Sequence, residues 1–203
     1  MQPDVLPYPP TEAADALATL RRATRAHHDR IDALMDLRRM QDRAQYARVL
    51  GVFDAFLAGW EPEVAAALPA RWHPWLAARS RRPFLQQDLQ RLGVVPGAAA
   101  RIPPFAGPAG AWGSVYVMEG SALGGQFITR SLAEAGLHPG CGAAYFHGWG
   151  DATGRMWREA RAVLAGELDS EAALAHACAS ARATFDTLSG LLEDCLHERA
   201  ALA

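Results

Sequence analysis

The chain contains no lysine: all 20 of its basic residues are arginine. Any site that holds an anion must therefore use guanidinium groups, which match carboxylates and phosphates two-pronged. Cysteine is also scarce. Cys141, Cys178 and Cys195 make an odd total of three, none in a C-x-x-C spacing, which argues against a disulfide framework or a cysteine-ligated metal. Cys178 lies in an alanine-rich helical pattern and is expected to be a buried free thiol. β-Branched residues are sparse, and no alternating run marks a strand. No apolar stretch approaches the length of a membrane span. Met1 to Pro10 holds Asp4 and four prolines and lacks the basic start and apolar stretch of a signal peptide. A cytoplasmic protein is expected. A formal net charge of −2 gives no argument for nucleic acid or an anionic membrane as partner.

What remains is an Ala-, Leu- and Arg-rich chain of 203 residues, 50% hydrophobic and 21% charged. That is enough for one domain with a real core, and the pattern predicts an all-α bundle of about seven helices. Residues 1–10 read as a loose tail, leaving 11–203 as the domain. Thr11 is a plausible N-cap for a first helix to about Leu37, with Leu17, Leu20, Thr24, Ile31 and Met35 on one face. A second helix runs from about Asp42 to Leu68, with Glu61-Pro62 as a potential kink. A short element at Trp72–Arg79 follows. Pro83 then starts a helix over Phe84–Leu92 that stops at Gly93. Val94–Pro108 is a loop. A glycine-bearing helix spans about Ala109–Ala135, ended by Gly136. Asp151 is a candidate cap for a helix through Leu164, and Asp169 or Ser170 for a last helix through about His197.

Two helices carry potential chemistry. On the first, His27 and His28 flank the apolar face set by Leu20, Thr24 and Ile31, and periodicity does not choose between them. A histidine facing a bundle interior can ligate a metal through one ring nitrogen, while the other needs an acceptor. Asp32 lies four residues after His28 on the same surface. The plainer alternative is one hydrogen-bonded core histidine and one solvated one. The second stretch is Met118-Glu119-Gly120-Ser121-Ala122-Leu123-Gly124-Gly125-Gln126. Each interior glycine costs about 0.5–1 kcal/mol relative to alanine, so three within six residues need a compensating close approach. Helix–helix packing would account for Gly120 and Gly124; Gly125 points to a neighbouring face, which packing explains less well. Arg21 and Arg25 precede His28 on a similar side, and Arg155, Arg158 and Arg161 share the sixth helix. A solvated charged face is their simplest reading. Beside an apolar slot containing a histidine, they would suit a flat ligand with acidic tails.

Thr-x-x-x-His-x-Arg-Ile-Asp on one helix, with Gly-Ser-x-Leu-Gly-Gly-Gln on a later one, resembles the haem oxygenase family. Tyr116 to Gly125, Pro83 to Gly93 and Gly154-Arg155-Met156-Trp157-Arg158 are similar to its bacterial branch, which includes enzymes found beside bacteriophytochromes. The resemblance implies an all-α fold with haem clamped between the first helix and a kinked glycine helix. It selects His28 as axial ligand to the haem iron, backed by Asp32. It implies that Gly120, Gly124 and Gly125 bring bare backbone over the haem face. Arg21, Arg25 and Arg158 would pair with the propionates, and Phe185 would wall the pocket. Mammalian-type members carry an aspartate after the first distal glycine that organises water on the oxygen side. Here that position is Ser121, which is usual in the bacterial branch.

The implied activity is oxidative cleavage of haem, both substrate and cofactor, with O2 and external electrons to biliverdin, CO and ferrous iron. Gly120, Ser121 and Gly124 form the implied catalytic wall. The electrons would come from a ferredoxin or flavoprotein, since no motif in the chain binds flavin or nicotinamide. A bacteriophytochrome would be a potential biliverdin acceptor. Two other classes remain. One is a haem-binding or haem-transfer protein without turnover. The other is a non-haem enzyme on this scaffold, a di-iron oxidase or a thiaminase-like protein. The first of these lacks a Glu-x-x-His pair, and the second lacks a cysteine with an activating neighbour.

Overall fold

A computed structural model of the chain describes the backbone of residues 11–202 and the side chains of residues 16–197. The expected loose tail at 1–10 lies outside the described residues. The rest is all-α. Among the described residues nine helices follow in order: α1 (Thr11–Leu34), α2 (Leu37–Met40), α3 (Arg43–Ala67), α4 (His73–Ala77), α5 (Arg82–Leu92), α6 (Gly107–Ala133), α7 (Ala144–His147), α8 (Thr153–Glu167) and α9 (Glu171–Leu202). Short 3₁₀ turns sit at Ala70–Trp72 and Gly150–Ala152. Among the described residues there is no strand, only isolated bridges at His138.

Most boundaries follow from local chemistry. Asp42 caps α3, its carboxylate accepting from the Gln45 N–H at 2.9 Å. Ser170 rather than Asp169 caps α9, its hydroxyl accepting from Ala173 N at 3.2 Å. Gly93 closes α5 at φ +69°, a left-handed conformation that glycine adopts without strain. Three expectations are corrected. The first helix stops at Leu34, because Asp36 accepts from Arg38 N at 2.9 Å and starts α2 instead. Asp151 falls in a 3₁₀ turn, and α8 begins at Thr153 without a side-chain cap. The helix count rises by α2 and α7, each four residues long and too short for a periodic signal.

The core gathers on α3, α6 and α9. Tyr46, Leu50, Phe56, Trp112, Val115, Ala177 and Leu188 are all buried. A hydrogen-bonded line crosses it: Trp60 Nε1 donates to Ser114 Oγ at 2.7 Å, and Ser114 bonds Thr184 at 2.6 Å. These buried hydroxyls tie three helices together; leaving one unpaired costs about 1–3 kcal/mol. At the α6–α9 crossing, a Cβ on Gly113 would collide with the Ala177 backbone, so only glycine permits that approach. Helix α9 packs along both α1 and α6, and α8 also touches both. The two helices carrying the candidate motifs thus share the same supports.

Candidate functional site

The α1 side of the site is built around two neighbouring histidines with different surroundings. The His28 side chain is 60% exposed, and its Nδ1 sits 3.1 Å from the Asp32 carboxylate. That contact commits Nδ1 and leaves Nε2 for another partner, the arrangement typical of a ligating histidine. His27 is only 25% exposed; its Nε2 lies 3.7 Å from Asp186 of α9, and its buried Nδ1 has no hydrogen-bond partner. Phe185 lies beneath both, with ring centroids 6.4 Å from His27 and 6.1 Å from His28.

The α6 side faces this group through a short chain of contacts. Thr24, one turn before His28, lies beside Tyr116, one turn before Gly120, and donates its hydroxyl to the Leu20 carbonyl at 2.8 Å. Burial raises the Tyr116 hydroxyl pKa above the ordinary phenol value, while the neighbouring Thr24 hydroxyl and Arg21 oppose the rise. The Tyr116 ring lies 5.9 Å from Trp157 of α8, and a Cβ on Gly120 would rest 3.7 Å from that indole. A Cβ on Gly124 would meet open space. Leu123 and Phe127 continue the same face and are 39% and 66% exposed. Arg21, Arg25 and Arg158 are exposed around it, and none forms an ion pair with a described residue.

Gly125 differs from its neighbours. It is buried, and a Cβ there would strike the Phe146 carbonyl of α7. Close packing therefore accounts for it, contrary to the reading that packing explained it poorly. Helix α6 also runs unbroken through the glycine run, with Thr129 Oγ1 donating to the Gly125 carbonyl at 2.9 Å.

The segment between α4 and α5 contributes residues that no spacing pattern singled out. Arg79 is buried and donates to the Glu119 carboxylate through Nε at 3.0 Å and Nη2 at 2.6 Å. It also donates to the Met156 carbonyl and stacks 4.4 Å from the Trp75 ring. Ser80 donates to Glu61 at 2.5 Å. Arg81 Nη2 donates to the Met118 carbonyl at 2.7 Å and to Ser121 Oγ at 2.6 Å. Behind α6 these side chains border a cavity of about 260 Å³, with Leu57, Val64 and Val115 on its apolar wall. The only sequence signal was the arginine-rich turn itself, which looks like an ordinary solvated connection.

Chemically, α6 presents Gly120 and Gly124 beside exposed Leu123 and Phe127, while α1 carries a histidine held by a carboxylate. With the exposed guanidinium groups of Arg21, Arg25 and Arg158, this set of residues suits a planar, mainly apolar ligand with acidic edges and a central metal. Among the described residues, no three or more His, Cys, Asp and Glu side chains gather in metal-holding geometry, so a multinuclear site has no ligand set there.

No protein-family model matches the chain. A haem oxygenase of Xanthomonas campestris pv. campestris (strain 8004) is 39% identical over 145 residues, covering 71% of this chain and 86% of that protein. The NO- and CO-bound haem oxygenase of Neisseria meningitidis has the same fold, with a TM-score of 0.78 at 24% identity, covering 89% of this chain and 91% of that one. Among the described residues, no helix is long and apolar enough to cross a membrane.

Proposed function

The chain belongs to the haem oxygenase family, and from that premise we propose that it binds haem between α1 and α6 and cleaves it with O2 and external electrons to biliverdin, CO and ferrous iron. The observation that carries this reading is the pairing of a carboxylate-held histidine on α1 with the bare glycine face of α6. Haem is the substrate, and its own iron supplies the oxygen chemistry. His28 Nε2 holds the iron while Asp32 fixes the ring. Phe185 supports the histidine from below. Gly120 and Gly124 would keep the opposite wall free of side chains and let the ring lie close to the helix backbone. Arg21, Arg25 and Arg158 pair with the propionates and set the rotation of the ring in its slot, which decides the carbon attacked.

The electrons come from a ferredoxin or flavoprotein, and the site of action is the cytoplasm. Supply of biliverdin to a bacteriophytochrome is the physiological role in keeping with the motif resemblance. The test is to add haemin, record a stoichiometric Soret band, then supply ascorbate or a ferredoxin system. The expected result is loss of the Soret band and growth of biliverdin's broad red absorption. A stable haem complex that yields no biliverdin would instead identify a haem-transfer protein, and no Soret band would overturn the haem reading entirely.

A further inference from the structure

The glycine face of α6 is closed at one end and open at the other. Among the described residues, a Cβ on Gly120 would meet only the Trp157 indole of α8, at 3.7 and 3.8 Å. One turn on, along the same helical surface, a Cβ on Gly124 would meet nothing within 4 Å. The indole is therefore a stop at the Gly120 end alone.

Trp157 has little freedom there. Its ring lies 5.9 Å from that of Tyr116, tilted by 51°. The preceding residue, Met156, accepts at its carbonyl from the buried Arg79, whose Nη2 also donates to Glu119 at 2.6 Å. One guanidinium thus ties the residue before Gly120 to the residue before Trp157. Its donors lie in a fixed plane, so the glycine and the indole keep their spacing. The next residue, Arg158, is exposed. A bulky apolar stop and a surface cation occupy consecutive positions of α8.

We propose that Trp157 is a specificity-determining residue, the end-stop against which one edge of the haem ring is seated. This inference rests on the haem reading and deepens it. Arg21, Arg25 and Arg158 recognise the acidic edge by charge, but long exposed side chains keep many rotamers and set the ring's position only loosely. An indole has two rotatable bonds and is far more rigid. Set against the Gly120 end, it removes that slack and so selects the ring carbon that is attacked.

The test compares Trp157→Leu and Trp157→Phe with the unmutated protein, each as the full-length haem complex. One readout is the pattern of haem methyl resonances in the NMR spectrum of the cyanide-ligated ferric complex, which reports the in-plane seating of the ring. The other is the ratio of biliverdin isomers separated by chromatography. Trp157→Leu is expected to displace the methyl resonances and raise the share of a second isomer. Trp157→Phe should do the same to a smaller extent. An unchanged methyl pattern or an unchanged isomer ratio in haem-loaded Trp157→Leu would overturn the proposal while leaving the haem reading intact. If Trp157→Leu does not fold, Trp157→Phe decides by the same criterion. If the unmutated complex forms but yields no biliverdin, the methyl pattern decides alone. Absence of a Soret complex in the unmutated protein overturns both readings.

Discussion

Nδ1 of His28 lies 3.1 Å from the carboxylate of Asp32, one helical turn along α1. The contact orients the imidazole before any ligand arrives, and orienting groups of this kind are typically worth about 10–100-fold in metal affinity. Asp32→Ala should weaken haem binding by roughly that factor with little change in melting temperature, since both side chains are largely exposed. A haemin titration followed at the Soret band measures it. Wild-type affinity in Asp32→Ala would remove Asp32 from the site.

The neighbouring histidines should separate cleanly. His28→Ala is expected to abolish the histidine-ligated ferric spectrum while leaving the fold intact. His27→Ala removes a part-buried ring that touches Phe185 and faces Asp186; it should lower stability modestly and keep the axial ligand. Optical or EPR spectra of the two haem complexes distinguish them. The opposite pattern would assign the iron to His27.

Adjacent glycines should respond in opposite ways to alanine. At Gly124 the new methyl enters open space, and the helix gains about 1 kcal/mol, raising the melting temperature by roughly 2–4 °C. Turnover should nevertheless fall, because the methyl intrudes on the slot. At Gly125 the methyl strikes the Phe146 carbonyl, costing about 1–3 kcal/mol. Calorimetry with a biliverdin assay tests both. A Gly125→Ala protein that melts like the parent would contradict the packing role.

Asp88 should give stability an inverse pH dependence. It is fully buried, and burial holds its carboxyl pKa above the usual aspartate value, only partly opposed by the N–H groups of Tyr145 and Ala144. Those donors lie at 2.8 and 2.9 Å. The folded state therefore keeps the proton longer than the unfolded chain. This group's contribution falls as pH rises from about 4, the unfolded value, up to its own raised pKa, and is level above that. Asp88→Asn should erase that slope. It should also cost about 1–3 kcal/mol at neutral pH, because its amide opposes one of the two donors. Urea unfolding over a pH series checks both; a parent-to-variant difference independent of pH would refute the assignment.

Much of this fold was legible from local chemistry. The ends of α5 and α6 were marked by Gly93 and Gly136, and Asp42 and Ser170 supplied caps whose effect is confined to a few neighbouring residues. The elements that escaped were α2 and α7, where four residues leave no period to read. Within the candidate site, His28 and Asp32 were linked by spacing alone because both lie on one helix. Arg81 and Ser121 are 40 positions apart, and their contact exists only once the turn before α5 has packed on α6. Gly125 was misread for the same reason: its partner, Phe146, belongs to a helix absent from the predicted set.

The glycines of α6 therefore divide by what demands them. Gly113 and Gly125 are required by neighbouring backbone, whereas a Cβ on Gly124 would touch none of the described residues. A descendant that abandoned haem while keeping this architecture would be free to drift at Gly124 yet stay bound to glycine at the other two. The order in which these positions decay across a lineage would thus date the loss of the reaction apart from any loss of the fold.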